Sequence, residues 1–361
     1  HIDALIDSGK ISQIVDHKNY NPRVIEWMTD AMRIEDIAPA DYPEEFLRIL
    51  ANPAKLWENA FQRHISPAAR HLLITLFFSG HFGIEIPVLR ARFEKLHATL
   101  ARHYNIEQDA NDFAASLRHL EGSFLIIEDQ SVRFINPSLA DYLSAYLSDG
   151  ILLPLVAESA AEGHSAREIW RFARDGLDDP TKRAAVAKSF LPLLNRLLIA
   201  PPGDESEGWI SAALIGDPDR LGLLLEWWTA ALDRRFAEAA LTLVKNPPRK
   251  FRGWRDTSSL MELIREIEED QWVAPFDELP AMVELLKLIV TDLIPRLDID
   301  DLDDVASDVH GDWDYGPAIK QAVTIAIRNV FDRLDEILPD LTSESELSDQ
   351  ADMLERLAMR S

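Results

Sequence analysis

Apolar positions recur at helical spacing along most of this chain and change to strand-like runs at one place only. Val24, Ile25, Trp27 and Met28 follow Asn21-Pro22, a capping residue and a proline suited to the first helical position, so the spacing predicts a helix from Pro22 to about Met32. Pro43 to Leu50 keeps the same period. Asn52-Pro53 repeats the cap ahead of a predicted helix over Lys55–His64, with Leu56, Trp57, Ala60 and Phe61 on one face. Ser66-Pro67, Pro87 and Asp112 open three more, carrying Leu72 to Phe77, Val88 to Phe93 and Phe113 to Leu120. There the period changes. Phe124–Ile127 and Val132–Ile135 bracket the polar Glu128-Asp129-Gln130-Ser131, a hairpin signal. Three helices followed by a hairpin outline a winged helix.

From Ser138 onward the periodicity is helical throughout, in Leu139–Leu147, Ile151–Ala161, Ala166–Phe172, Arg183–Leu198, Arg220–Leu232, Phe236–Val244, Leu260–Ile267, Met282–Ile294, Ile319–Leu338 and Leu347–Leu357. The linkers between them, such as Ala200-Pro201-Pro202-Gly203-Asp204 and Asn246-Pro247-Pro248, are rich in Pro, Gly and Asp. Segment spacing is irregular and no consensus repeats, which predicts an irregular α-helical region, solenoid- or bundle-like. The expected fold is therefore mainly α, in three regions: 1–64, a winged-helix domain over 65–147, and the helical region 148–361.

Composition narrows the setting. A length of 361 residues is enough for two or three domains, and 47% hydrophobic with 27% charged residues is the balance of a globular chain. No run reaches the roughly 18 apolar residues that a membrane helix needs. With no Cys, disulfides, Cys-ligated metals and thiol nucleophiles are excluded, and a cytoplasmic location is expected. The net charge of −25 repels phosphate backbones and anionic lipid, so neither nucleic acid nor membrane is an expected partner. The surplus is uneven: residues 1–150 hold 14 basic and 21 acidic side chains, and 270–361 hold 7 and 22, which makes a basic protein a fitting partner for the C-terminal part. Position 1 is His, and no charged-then-apolar signal segment follows, so the chain reads as a piece of something longer.

Candidate chemistry is sparse. Asp7-Ser8-Gly9-Lys10 lacks the earlier Gly of a phosphate loop, has Ile11 where Ser or Thr is required, and follows no strand, so it reads as a polar turn. His64, His71, His97 and His103 lack the spacing that sets two imidazoles on one helical face, and are expected to be surface or capping residues rather than metal ligands. No Gly-x-Ser-x-Gly elbow occurs. The run Asp298–Asp304 lacks the Gly and closing Glu of a calcium loop, and is expected to be a solvated acidic loop or helix start. In the third helix of the winged unit, Arg118 stands among Asp109, Asp112 and Glu121, too little positive charge to hold DNA. No catalytic or metal site is thus expected in this segment.

Two stretches carry a family resemblance. His17-Lys18-Asn19-Tyr20-Asn21-Pro22-Arg23-Val24-Ile25-Glu26-Trp27-Met28-Thr29 resembles the end of the nucleotide-binding module of STAND-class NTPases, most closely the bacterial novel STAND NTPases. Leu120-Glu121-Gly122-Ser123-Phe124 and Val132 through Leu143 resemble the winged-helix end that follows it there. The resemblance covers about residues 1–147. It implies that 1–64 is the end of the NTPase helical lid, that a Walker A and B core precedes it, and that the region from 148 senses a trigger. The whole would be a signalling ATPase, in many members a phage-defence one, using ATP or ADP in the full-length protein and none in the isolated segment. Its partners would be its own N-terminal NTPase core and a protein trigger on the helical region, with oligomerisation on activation.

The resemblance also implies nucleotide contacts. Pro22 would pack near the adenine and Arg23 would reach the phosphates from a helix N-terminus, where free N–H groups favour anions. On the residues alone, Pro22 merely starts a helix and Arg23 pairs with Glu26 or Glu35. Many STAND proteins have a His near the position of Asn136 that contacts the bound diphosphate; Asn there hydrogen-bonds without carrying charge. On the residues alone, Asn136 or Ser138 caps the next helix. The competing functional reading is an independent acidic α-helical protein-interaction scaffold, anchored by any exposed members of the nine tryptophans.

Overall fold

A computed structural model describes the chain apart from residues 18–19, 21–24, 26–27, 30–33, 36, 52–56, 59, 81–82, 201–214, 270–275, 312, 335–343 and 361. The fold is mainly α with one small antiparallel sheet. The chain forms two compact units, the first comprising His1–Ala161 and Ser165–Phe190, the second Glu162–His164 and Leu191–Ser361.

In the first unit, α1 (Ile2–Asp7), α2 (Ile11–Val15) and α3 (Tyr42–Ala51) share a core of Ile14, Met28, Ile34, Tyr42, Phe46, Ile49 and Leu50. The Tyr42 hydroxyl donates to the Met28 carbonyl at 2.6 Å, so this core holds its one buried phenol without an orphaned polar group. The Asp7–Lys10 stretch is the turn between α1 and α2, with Gly9 at φ 67° and Lys10 paired to Glu44. Most of the helix predicted over Pro22–Met32 lies outside the described residues, Pro22 and Arg23 included. The helix predicted to end at His64 closes instead in a wider π-helical turn over Ala60–His64.

The winged unit follows in the order α4 (Pro67–Phe77), β1 (Ile84–Glu85), α5 (Ile86–Tyr104), α6 (Asp112–Leu120), β2 (Leu125–Glu128) and β3 (Ser131–Phe134). Ser66 accepts from the Ala69 N–H at 3.1 Å, satisfying a free donor at the start of α4. In the sheet, ordered β1-β3-β2, Val132 faces Ile84 on one side and Ile127 on the other. Asp129 and Gln130 turn the hairpin at φ 48° and 69°, the left-handed pair that matches strand twist in a two-residue turn. β1 has no sequence signal, being two residues long. Gly83 admits it at φ 97°, where an added Cβ would stand 2.6 Å from the Ser131 hydroxyl. Next come α7 (Pro137–Leu147), α8 (Leu153–Glu158), α9 (Gly163–Gly176) and α10 (Pro180–Ser189). The single helix predicted over Arg183–Leu198 is three pieces: α10, a 3-10 turn at Leu191–Leu193 and α11 (Leu194–Ile199). Pro192 removes a helical N–H and disfavours α geometry at Leu191, which accounts for the break.

The second unit continues with α12 (Asp217–Ala231), α13 (Arg234–Lys245), α14 (Gly253–Glu268), α15 (Leu279–Leu293), α16 (Ile299–Val309), α17 (Pro317–Asp332) and α18 (Glu344–Met359). Every second helix packs on its successor and on the next but one: α12 with α13 and α14, α14 with α15 and α16, α16 with α17 and α18. α11, α13, α15 and α17 form the second row. Two stacked rows of helical hairpins are the packing of an α-solenoid. α16 occupies the acidic run, with Asp298 capping it by accepting from the Asp301 N–H, so the helix-start alternative describes this stretch.

Candidate functional site

Of the residues expected to meet a nucleotide, Asn136 can be placed. It is the N-cap of α7, and its Oδ1 accepts from both the Ser138 N–H (2.9 Å) and the Ser138 hydroxyl (2.7 Å). Ser138 Oγ in turn accepts from the Trp57 indole N–H at 3.0 Å. Trp57 is fully buried and tilts against Phe124 with centroids 5.6 Å apart. Asn136 itself is 3% exposed, its carbonyl committed to the cap and its amide N–H groups the remaining donors. The network links residues 81 positions apart, Trp57 to the start of α7. It satisfies each polar group it buries, which is the condition for such a group to be tolerated.

A second polar chain lies between the winged-unit helices. His71 on α4 and His97 on α5 are 7% and 4% exposed, and their Nδ1 atoms are 2.8 Å apart. His97 Nε2 lies 3.0 Å from Asp112 Oδ2 at the start of α6, and its ring stacks on Phe93 at 5.0 Å and 10°. The expectation that these two were surface or capping histidines is corrected here: helix packing buries both, and 26 residues of separation give no local signal of the pairing. The protons follow from the partners. A carboxylate at Asp112 only accepts, so His97 donates from Nε2, and one of the two facing Nδ1 atoms donates to the other. The His71 pKa is pushed down to about 3 by burial first, then by the neighbouring His97 and Arg70, against a smaller opposing pull from Asp112. So depressed, His71 is a neutral hydrogen-bonding group at physiological pH and a poor proton acceptor for catalysis.

His71 also lines a cavity of about 330 Å³ within the first unit, together with Phe61, Arg70, Leu100, Tyr104 and Tyr146. Phe61, fully buried, meets Tyr146 edge-on at 5.0 Å, while Tyr104 and Tyr146 are 50% and 37% exposed and form an open rim. Burial raises the Tyr146 hydroxyl above its ordinary range, with Arg70 opposing that shift. Among the described residues Arg70 has no ion pair, although the chain carries an acidic surplus of 25. Sequence reading missed this site because its contributors sit on four separate elements.

In the second unit, Arg220 and Asp217 are each 1% exposed and 3.2 Å apart. Arg220 also donates to the carbonyls of Leu197, Ala200 and Ile215, which holds the segment before α12 against it. Asp303 on α16 accepts from Arg356 and Arg360, each at 2.8 Å, and so fastens the C-terminal end of the chain to α16. Among the described residues no three His, Asp or Glu side chains converge as metal ligands, and no helix is long and apolar enough to cross a membrane. No protein-family model matches the chain, and no curated protein or solved structure matches it either.

Proposed function

We propose that this chain is the regulatory and sensing portion of a STAND-type signalling ATPase, without catalysis of its own, and that its setting is cytoplasmic signalling or phage defence. The observation that carries the reading is the order of parts: a small helical unit, a winged helix, a buried Trp57–Ser138–Asn136 network that ties the segment before the winged helix to the start of α7 after it, then an α-solenoid. A preceding NTPase core would supply Walker motifs and ATP or ADP. Pro22 and Arg23 would then contact the nucleotide. Asn136 would offer a phosphate its amide N–H groups only, and at 3% exposure only after the Trp57 layer moves. That restriction suits a switch whose closed form withholds a contact. DNA is not the proposed partner, since the wing's Arg133 is paired to Glu128 at 2.8 Å.

Reading the gene upstream of codon 1 tests the proposal. A strand followed by Gly-x-x-x-x-Gly-Lys-Ser/Thr is the expected result. A start codon directly before His1 overturns it, and so does ATP turnover by the purified 361-residue chain.

A second reading, an acidic α-helical scaffold for a basic partner, draws on the second unit, where Leu288 is 65% exposed within the strongly acidic stretch 270–361. Salt-sensitive capture of a basic protein by residues 191–361, with no upstream NTPase core, would favour it.

A further inference from the structure

We propose that the cavity between Arg70 and Tyr146 is a binding site for a small organic anion with a planar aromatic body, an aryl carboxylate in the first instance. The proposal does not rest on the ATPase reading.

Four observations carry it. The cavity, at about 330 Å³, falls within the range of small-molecule sites, about 300–1,000 Å³. Its walls are apolar and aromatic: Phe61 is fully buried, and Tyr146 presents its ring edge-on beside it. That surface suits a flat apolar body, which aromatic faces and edges hold with more than simple area burial. Next, Arg70 lines the cavity half-buried and, among the described residues, without a carboxylate partner. A guanidinium presents a planar fork of donors that matches a carboxylate in two-point contact. Finally, no carboxylate lies among the side chains that line the cavity to compete for Arg70, and His71 in its wall is tied into the chain to His97 and Asp112. The tyrosine hydroxyls at the rim add neutral donors, and Tyr104, half exposed, leaves the mouth open for entry.

The class of ligand follows from this set. A cation is disfavoured by Arg70, and a neutral hydrocarbon leaves the guanidinium desolvated and unmatched, a cost that an anion removes. A polyphosphate needs more positive charge than one arginine supplies.

The test titrates the full chain with 2-naphthoate by calorimetry, alongside the neutral 2-naphthalenemethanol and adenosine monophosphate. Naphthoate is expected to bind about 10- to 100-fold more tightly than the alcohol, the range of one charge-assisted hydrogen-bonded contact. In Arg70→Met that preference is lost and the two ligands bind alike. In Leu152→Trp, which fills the cavity from its edge, neither binds. Thermal unfolding of both variants checks that the fold survives, as expected for an arginine with no ion pair to lose. Equal binding of naphthoate and its alcohol, an unchanged preference in Arg70→Met, or no heat at about 1 mM naphthoate overturns the proposal. Arg70-dependent binding of adenosine monophosphate without binding of naphthoate also overturns it, assigning the cavity to a nucleotide instead.

Discussion

Replacing His71 by Asn is expected to lower the acid sensitivity of the first unit. In the folded chain burial and the neighbouring His97 and Arg70 hold His71 near pKa 3, against 6.5 for a free histidine. The folded pKa is depressed, so between these two values the unfolded chain binds a proton that the folded one refuses. The stability is therefore complete above pH 6.5 and is lost as the pH falls toward 3. At 1.36 kcal/mol per pH unit, the loss at pH 5 is about 2 kcal/mol, and the limit near pH 3 is about 5 kcal/mol. Asn suits the test because its amide group can both donate and accept, keeping a hydrogen-bonding partner beside His97 Nδ1 while carrying no titrating proton. Urea unfolding followed by tryptophan fluorescence, at about pH 7.5 and about pH 5, gives the stability of wild type and His71→Asn. Titrating groups remote from His71 are common to both chains and cancel in the difference. The difference between the chains is expected to move by about 2 kcal/mol in favour of the variant on acidification. A difference that stays constant across this range refutes the assignment of His71 as a neutral buried ring.

Three further outcomes follow from the geometry. Ser138→Ala removes the acceptor of the Trp57 indole N–H and is expected to cost about 1–3 kcal/mol, whereas Trp57→Phe in the same background adds less than it does alone; thermal unfolding of the double-mutant cycle measures the coupling. Arg220→Met leaves Asp217 buried without its partner and three carbonyls without a donor, for an expected loss of about 3–5 kcal/mol in the second unit, read by hydrogen exchange in α12. Gln130→Gly relieves a positive φ of 69° at an exposed turn position and is expected to raise stability by about 0.4–1 kcal/mol, measured as a shift in the urea midpoint of the first unit.

Much of the architecture is written locally. Ser66-Pro67, Asn136-Pro137 and Asp298 are caps that can be read without any tertiary context, since a side-chain oxygen two or three residues from a free N–H needs no distant partner. The hairpin at Glu128–Ser131 is equally local, because two short apolar, strand-like runs bracket four polar residues. The helices of the second unit are legible for the same reason, each carrying its own apolar face.

What the sequence determined alone is therefore the mainly helical class, most of the helices among the described residues, the hairpin and the candidate cap at Asn136. The tertiary structure decided which of them meet. β1 exists only because β3 offers Ser131 and Val132 to two residues with no strand signal of their own. His71 and His97 read as ordinary histidines until α4 and α5 pack, and only that burial makes one of them neutral and ties both to Asp112. The two-row stacking of the C-terminal helices and the cavity beside Arg70 are likewise products of contact between elements far apart in the chain. Local hydrogen bonds and periodicity act over a few residues, whereas desolvation and cavity shape depend on everything that surrounds a side chain, and no spacing rule encodes that.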